Sequence, residues 1–295
     1  MPQLLLLGTT GQVGWELQRC LSTLGELTVA NRQPSAGQQY ADLADIDSLY
    51  RLIRQVKPEV IVNAAAYTAV DKAEEESDLA HVINGTAPGV LAEEAQRLNA
   101  LLIHYSTDYV FSGEKQTPYV ETDPVNPLGA YGESKLAGER AIMDTEATAL
   151  IFRTAWVYGM RGKNFLLTMQ RLARERDELR VVADQWGAPT WSRSIAEATA
   201  QVLSQLLAPS MKNTLKNYRG VYHLTCAGET NWHGFAQSIV QHGERQVTVH
   251  PITTADYPTP VRRPAYSVLS NEKLTATFGL KLPAWDTALR LCLEK

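Results

Sequence analysis

Residues 3–14 read Gln3-Leu4-Leu5-Leu6-Leu7-Gly8-Thr9-Thr10-Gly11-Gln12-Val13-Gly14. The four leucines make a short apolar run that stops at a glycine. That pattern predicts a buried parallel strand. A helix is predicted over residues 12–24, with Val13, Leu17, Cys20, Leu21 and Leu24 along one side. Strand, glycine turn and helix in this order are what a dinucleotide-binding loop requires. Gly8 and Gly11 permit the turn and a close approach of backbone N–H groups to a pyrophosphate. Gly14 lets the helix pack against the sheet, and the helix N-terminus adds partial positive charge. Thr10, Gln12 and Val13 belong to the same turn and are counted as cofactor contacts. The spacing Gly-x-x-Gly-x-x-Gly is weak as a bare string; its place directly after an apolar strand gives it weight.

The same alternation continues along the chain. Further strands are predicted over residues 26–30, 59–66, 101–106 and 149–158, and helices over 46–56, 87–98 and 135–143. Strand and helix in turn predict an α/β fold, a doubly wound parallel-sheet Rossmann domain. After about Gly159 the rhythm changes. Amphipathic helices are predicted over 164–175, 194–207 and 232–242, with a strand over 220–226 and extended stretches at 181–182 and 247–252. Residues 1–158 thus read as the dinucleotide-binding domain. Residues 159–295 read mainly as a smaller C-terminal α/β substrate-binding domain, from which a late strand is free to return to the first sheet.

Tyr131-Gly-Glu-Ser-Lys135 is the only place where a Tyr precedes a Lys by four residues. On a helix those two side chains share a face. A phenol near its free pKa of ~10 is a poor acid–base group at neutral pH. A cation beside it is expected to pull that pKa down and make a proton relay. The plain alternative is a surface Tyr next to a solvated Lys.

The chain has 295 residues, 44% of them hydrophobic and 20% charged, and a net charge of −4. That composition suits a folded protein and excludes disorder. It offers no general attraction for nucleic acid or an anionic membrane, so a phosphate-bearing ligand must be held by local groups. Cys20, Cys226 and Cys292 are too scattered for a disulfide framework or a metal site, which fits a reducing cytoplasm. No signal peptide or membrane span is read, and no metal is expected. The six histidines are scattered, and His104, inside an apolar run, reads as a core residue.

The residue closing the second strand reports on the adenosine ribose. A carboxylate there accepts from the 2′-hydroxyl and repels a 2′-phosphate. Asn31 holds that place, followed by Arg32. A missing carboxylate with an adjacent cation predicts that NADPH is accepted, although Arg32 also reads as a solvated loop residue. Asp42, with Leu43 beside it, is placed to accept from the adenine amino group.

Taken together, Gly8-x-x-Gly11-x-x-Gly14, Asn63-Ala64-Ala65-Ala66, Ser106-Thr-Asp-Tyr-Val-Phe111 and Tyr131-x-x-x-Lys135 resemble the extended short-chain dehydrogenase/reductases. Residues 11–17, 69–74, 153–158, Asn164-Phe165, 184–190 and 263–267 narrow the resemblance to the reductases of dTDP-linked keto-deoxysugars, over nearly the whole chain. The resemblance implies reduction of a C4 ketone by hydride from NADPH or NADH. Tyr131 would donate the proton. Lys135 would bind the nicotinamide ribose and lower the Tyr131 pKa. Thr107 would hydrogen-bond the ketone oxygen. Ala64, Ala65 and Ala66 would let the cofactor pass closely. Asp108 would contact sugar or cofactor hydroxyls, or order its loop. Trp156 would meet the sugar or thymine, or pack in the core. Arg262 and Arg263 are candidates for the substrate diphosphate, with Arg161 or Lys163 as alternatives. A homodimer is compatible with the resemblance. Two rival readings stay open: a non-enzymatic regulatory subunit like the beta subunit of methionine adenosyltransferase, and a sugar-nucleotide epimerase or dehydratase.

Overall fold

The computed structural model describes residues 1–211, 213–243 and 245–294. Lys212, Glu244 and Lys295, all in the C-terminal part, lie outside the described residues. The chain begins with β1 (Gln3–Leu7), α1 (Gln12–Leu21), β2 (Glu26–Asn31), β3 (Gln39–Tyr40), α2 (Ile46–Val56) and β4 (Val60–Asn63). It continues with α3 (Ser77–His81), α4 (Ala87–Leu98), β5 (Leu101–Thr107), α5 (Ala130–Met143), β6 (Thr148–Thr154) and β7 (Val157–Tyr158). Then follow α6 (Phe165–Glu175), β8 (Glu178–Val182), β9 (Trp186–Gly187), β10 (Thr190–Trp191), α7 (Ser192–Leu206) and β11 (Gly220–His223). The last elements are β12 (Thr230–Asn231), α8 (Trp232–Gln241), β13 (Thr248–Ile252), α9 (Glu272–Phe278) and α10 (Trp285–Leu293).

Seven strands form one sheet in the order β11-β6-β5-β4-β1-β2-β3, and every pairing in it is parallel. Leu4 to Leu7 are at most 2% exposed because helices cover both faces of β1. Burying one such side chain is worth roughly 1.5–3 kcal/mol, so a charge placed there would be a severe defect. On one face Leu4 and Leu6 meet Leu17 and Leu21 of α1; on the other Leu5 and Leu7 join Leu49, Leu52 and Ile53 of α2. The end of α2 is set locally. Asp45 caps its start by accepting from the Ser48 N–H at 3.2 Å. Lys57 closes it in the left-handed region at φ 51°, and Pro58 cannot continue it.

Several boundaries differ from expectation: α1 ends at Leu21, β4 at Asn63 and β11 at His223, each about three residues early. The helix expected over 135–143 starts a turn earlier, at Ala130, because extended Gly129 forms its N-cap. The strand expected over 149–158 breaks after Thr154, where Trp156 takes φ 47°. The chain before α4 is also helical: α3 passes through a π turn at 82–86 into α4. β11 pairs with β6, so a strand from the C-terminal half returns to the main sheet. A second layer is built from the parallel pair β8–β13 with α6 and α8 around Leu166, Phe235 and Leu289.

One buried ion pair ties α5 to β6. Arg153 donates to both Glu139 oxygens, at 2.9 and 2.6 Å, and both residues are at most 4% exposed. Glu139→Ala strands a buried guanidinium, and the expected cost is about 3–5 kcal/mol. Urea unfolding of the variant and its parent checks this; a loss below about 1 kcal/mol would mean that Arg153 finds water or another partner.

Candidate active site

The order of the sheet reverses between β1 and β4, and a crevice opens beyond the carboxyl ends of the strands at such a point. Gly8 sits there at φ +87°, where a side chain is strained. Its N–H is held by the Ala30 carbonyl at 3.1 Å. A Cβ on Gly8 would lie 2.6 Å from the Ala65 nitrogen, and one on Gly14 would collide with the Gly8 carbonyl. Only glycine fits either place. Gly11 is the extended N-cap of α1 and brings no side-chain acceptor, so the first N–H groups of the helix stay available to an anion. The donor set and the close-packed glycines fit a dinucleotide pyrophosphate.

The crevice is a cavity of about 730 Å³. Gly8, Thr10, Gly11, Gln12, Val13, Asn31, Arg32, Asp42, Leu43, Ala64, Ala65 and Ala66 line it, together with Thr107, Asp108, Tyr131, Lys135 and Trp156. Gly14 packs beneath the loop. Gln12 spends its amide holding the two halves of the chain together: it donates to the Val157 carbonyl at 3.3 Å and accepts from Asn164 at 2.8 Å. Asn31 is 4% exposed. Its amide N–H groups go to Thr9 Oγ1 and Gln38 Oε1, both at 2.8 Å. Gln38 Oε1 also accepts from the Ser35 N–H, so the atom facing it must be the Asn31 nitrogen. Asn31 Oδ1 is left buried without a partner, an acceptor on the cavity wall. Arg32 is exposed, and among the described residues no carboxylate pairs with it.

Thr107 ends β5 at 5% exposure. Its hydroxyl donates to Asp108 Oδ1 at 3.0 Å and accepts from the Tyr109 N–H at 3.2 Å. Asp108 is 1% exposed, and its Oδ2 has no partner. Burial pushes its carboxyl up to about 6 against the pull of the Ser267 and Thr107 hydroxyls and of the Asp108 and Tyr109 N–H groups. Tyr131 is the second residue of α5, one turn before Lys135, and meets the Tyr109 ring edge-on at 5.7 Å.

The pair behaves differently from the sequence expectation. Burial raises the Tyr131 phenol above its ordinary range, and the Thr107 hydroxyl opposes it. Lys135 turns away from the phenol. Its Nζ donates to the Tyr105 carbonyl at 2.6 Å and lies 3.2 Å from His104 Nε2, and burial lowers its pKa to about 8. A desolvated ammonium takes the nearest backbone acceptor, and a desolvated phenol keeps its proton. The site as folded therefore holds Tyr131 as a proton donor.

Other candidates divide. Trp156 lines the cavity, but one face of its indole lies parallel on Trp232, with centroids 3.5 Å apart. Only its other face or its edge is left for a ligand. Arg263 is drawn off by Asp71 at 2.6 Å and does not line the cavity. Arg262 lines a second hollow of about 560 Å³, with Lys115, Trp186, Glu229 and Tyr266. Lys163 lies on the main cavity wall, which favours it over Arg263 as a phosphate contact. Tyr109 and Asn84 were not foreseen. Asn84 sits in the π turn, accepts from the Tyr67 N–H and donates to the Tyr67 carbonyl, both at 2.9 Å, and donates to Ser134 at 3.1 Å. It fixes the loop that follows Ala66. A π turn often marks a functional site, but Asn-Gly in the sequence signals only a turn. Among the described residues no three His, Cys, Asp or Glu side chains are placed to hold a metal, and no helix is long and apolar enough to cross a membrane.

Residues 2–295 match the family described as RmlD substrate binding domain. A dTDP-4-dehydrorhamnose reductase of Burkholderia thailandensis is 50% identical over 99% of this chain and 98% of its own. The crystal structure of a dTDP-4-dehydrorhamnose reductase of Clostridium acetobutylicum superposes with a TM-score of 0.89 at 38% identity, over 98% of both chains. That of Bacillus anthracis, in complex with NADP, also gives 0.89, at 32% identity over 99% of this chain and 98% of its own.

Proposed function

The chain belongs to the RmlD substrate binding domain family, and from that premise we propose that it reduces the C4 ketone of dTDP-4-dehydro-6-deoxy-L-mannose to dTDP-L-rhamnose with NADPH or NADH. It is an oxidoreductase of nucleotide-sugar metabolism. The observation that carries the chemistry is that Thr107, Tyr131 and Lys135 line the same cavity as the glycine cradle. The nicotinamide supplies the hydride. Everything else falls to the protein. Tyr131, kept protonated by burial, gives its proton to the oxygen that gains charge, a contribution of ~10²–10⁴ in rate. Thr107 donates to the same oxygen once its hydroxyl swings from Asp108. Asp108, buried beside the Ser267 and Thr107 hydroxyls, would accept from a sugar hydroxyl through Oδ2. Lys135 holds ribose hydroxyls at the groove floor.

Arg262 and Lys163 are the cations we assign to the substrate diphosphate. Residues 1–158, completed by α7, β11 and α9, form the cofactor half, and the rest of residues 159–295 forms the sugar-nucleotide half. Placement in the cytoplasm and assembly as a homodimer are part of the same reading. The deciding assay mixes purified protein, the dTDP-linked keto-sugar and reduced cofactor. Stoichiometric cofactor oxidation with formation of dTDP-L-rhamnose is expected. A tightly held oxidised cofactor that recycles without net consumption would favour an epimerase or dehydratase. No turnover by folded protein would favour a regulatory subunit.

Cofactor choice follows from Asn31 and Arg32. The free Asn31 Oδ1 suits a ribose hydroxyl, and the exposed Arg32 suits a 2′-phosphate, so both cofactors are expected to work. Asn31→Asp adds a charge that repels the phosphate and should shift kcat/KM towards NADH. Arg32→Ala should weaken NADPH by about 1–2 kcal/mol at low salt and less at high salt. Steady-state kinetics with both cofactors checks this. A wild type strongly selective for NADH, indifferent to Arg32→Ala, would turn the loop away from the ribose.

A further inference from the structure

Behind Lys135 lies a chain of buried polar groups that hydride transfer to a ketone does not require. His104 on β5 is 1% exposed, and so is Asn63 at the end of β4. The two are paired in register across the strands. Asn63 Nδ2 lies 3.1 Å from His104 Nδ1, and His104 Nε2 lies 3.2 Å from Lys135 Nζ.

The tautomer follows from one backbone group. The Ala65 N–H donates to Asn63 Oδ1 at 3.2 Å. The amide is thereby oriented: its nitrogen, a donor only, faces His104 Nδ1. Nδ1 must then accept, and a neutral imidazole carries its hydrogen on Nε2. Burial and the neighbouring Lys135 both oppose a second proton on the ring. Nε2–H therefore points at Nζ. An ammonium has no lone pair to receive that hydrogen; an amine has one. Lys135 as an amine can accept from His104 while still donating to the Tyr105 carbonyl.

We infer that His104 is a positioning residue that turns an N–H on Lys135 Nζ and so favours its amine over its ammonium form. The step is a single proton. Nζ releases it to water in the groove and takes it back, and no other bond changes. The other charged and titratable groups facing Lys135 do not cancel the effect. Glu139, one turn on along α5, favours the ammonium, but its carboxylate is held by Arg153 of β6. Tyr131 on α5 stays neutral and protonated. Asp108, just past β5, has one oxygen taken by Thr107. Burial acts in the same direction and by itself lowers the Lys135 pKa to about 8. With its lone pair taken by His104 and one N–H by the Tyr105 carbonyl, the amine keeps one N–H to donate to a ribose hydroxyl. The inference rests on the reductase reading for its purpose but not for its test.

The first measurement is nitrogen NMR of the ¹⁵N-histidine-labelled protein without cofactor. His104 is expected to show a protonated Nε2 and an unprotonated Nδ1 between about pH 6 and 9, with no titration of its own. A hydrogen on Nδ1 overturns the inference, whatever the enzyme turns over. The second is the pH dependence of the NADPH dissociation constant, read by fluorescence. Wild type should inflect at or below about pH 8, since burial alone brings Lys135 to that value. His104→Phe removes the N–H and should move the inflection up by about one pH unit or more. Asn63→Asp supplies an acceptor to Nδ1–H, reverses the tautomer and should move it the same way, which covers the case in which His104→Phe does not fold. An unmoved inflection in a folded variant overturns the inference; a merely structural His104 would lower stability and leave the inflection in place. Failure to reduce the keto-sugar with the tautomer as stated would refute the reductase reading alone.

Discussion

Replacing Tyr131 by Phe is expected to lower kcat by at least ~10²-fold and leave cofactor affinity within a few-fold. The ring stays, so its edge contact with Tyr109 stays; only the proton is removed. The raised phenol pKa sets the sign of the pH dependence. A donor that keeps its proton throughout the neutral range should give no acidic-side loss of its own, and activity should fall only as the pH becomes strongly alkaline. Pre-steady-state hydride transfer, compared between variant and parent, separates this from slow product release. A correctly folded Tyr131→Phe protein with near-normal kcat would remove Tyr131 from the chemistry.

Lys135→Met should impair binding and turnover together. The variant loses the proposed ribose contact and a side-chain donor on the Tyr105 carbonyl, and a drop of roughly 10-fold or more is expected in each. A moderate loss of stability is expected as well. Met fills a site that is 2% exposed but leaves the buried Tyr105 carbonyl and His104 N–H unpaired, at a cost of about 1–3 kcal/mol. Calorimetry supplies the melting temperature and a cofactor titration the dissociation constant. A large fall in Tm with unchanged kcat and affinity would assign Lys135 to the framework.

What was readable in the sequence follows from how local its cause is. Leu4 to Leu7 and the glycines after them announce a buried strand and a tight turn, because burial and backbone freedom act within a few residues. The Tyr131–Lys135 spacing needed only helical geometry. Partnerships across the fold were not readable in the same way. Nothing near Arg263 shows that Asp71 will take it. Nothing near Trp156 shows that Trp232 will cover one of its faces. The sign of the Tyr131 shift was missed for the same reason. A charge four residues away is visible in sequence, whereas the burial that raises the phenol and the Tyr105 carbonyl that draws the ammonium aside are set by the fold.

The return of β11 to the main sheet separates the order of synthesis from the order of assembly. β6 ends at Thr154, yet its outer neighbour begins only at Gly220, after α6 and α7 and the short strands around them. While the ribosome delivers that stretch, β6 is a bare edge of apolar residues, Ala149 to Phe152. Such an edge recruits strands from other chains. Arg153, the one charge on that strand, is bound inward by Glu139 of α5, so it offers the nascent edge little repulsion. The polypeptide therefore passes through its most adhesive stage with its cofactor crevice already outlined. A bound dinucleotide or a chaperone would be most useful in that interval.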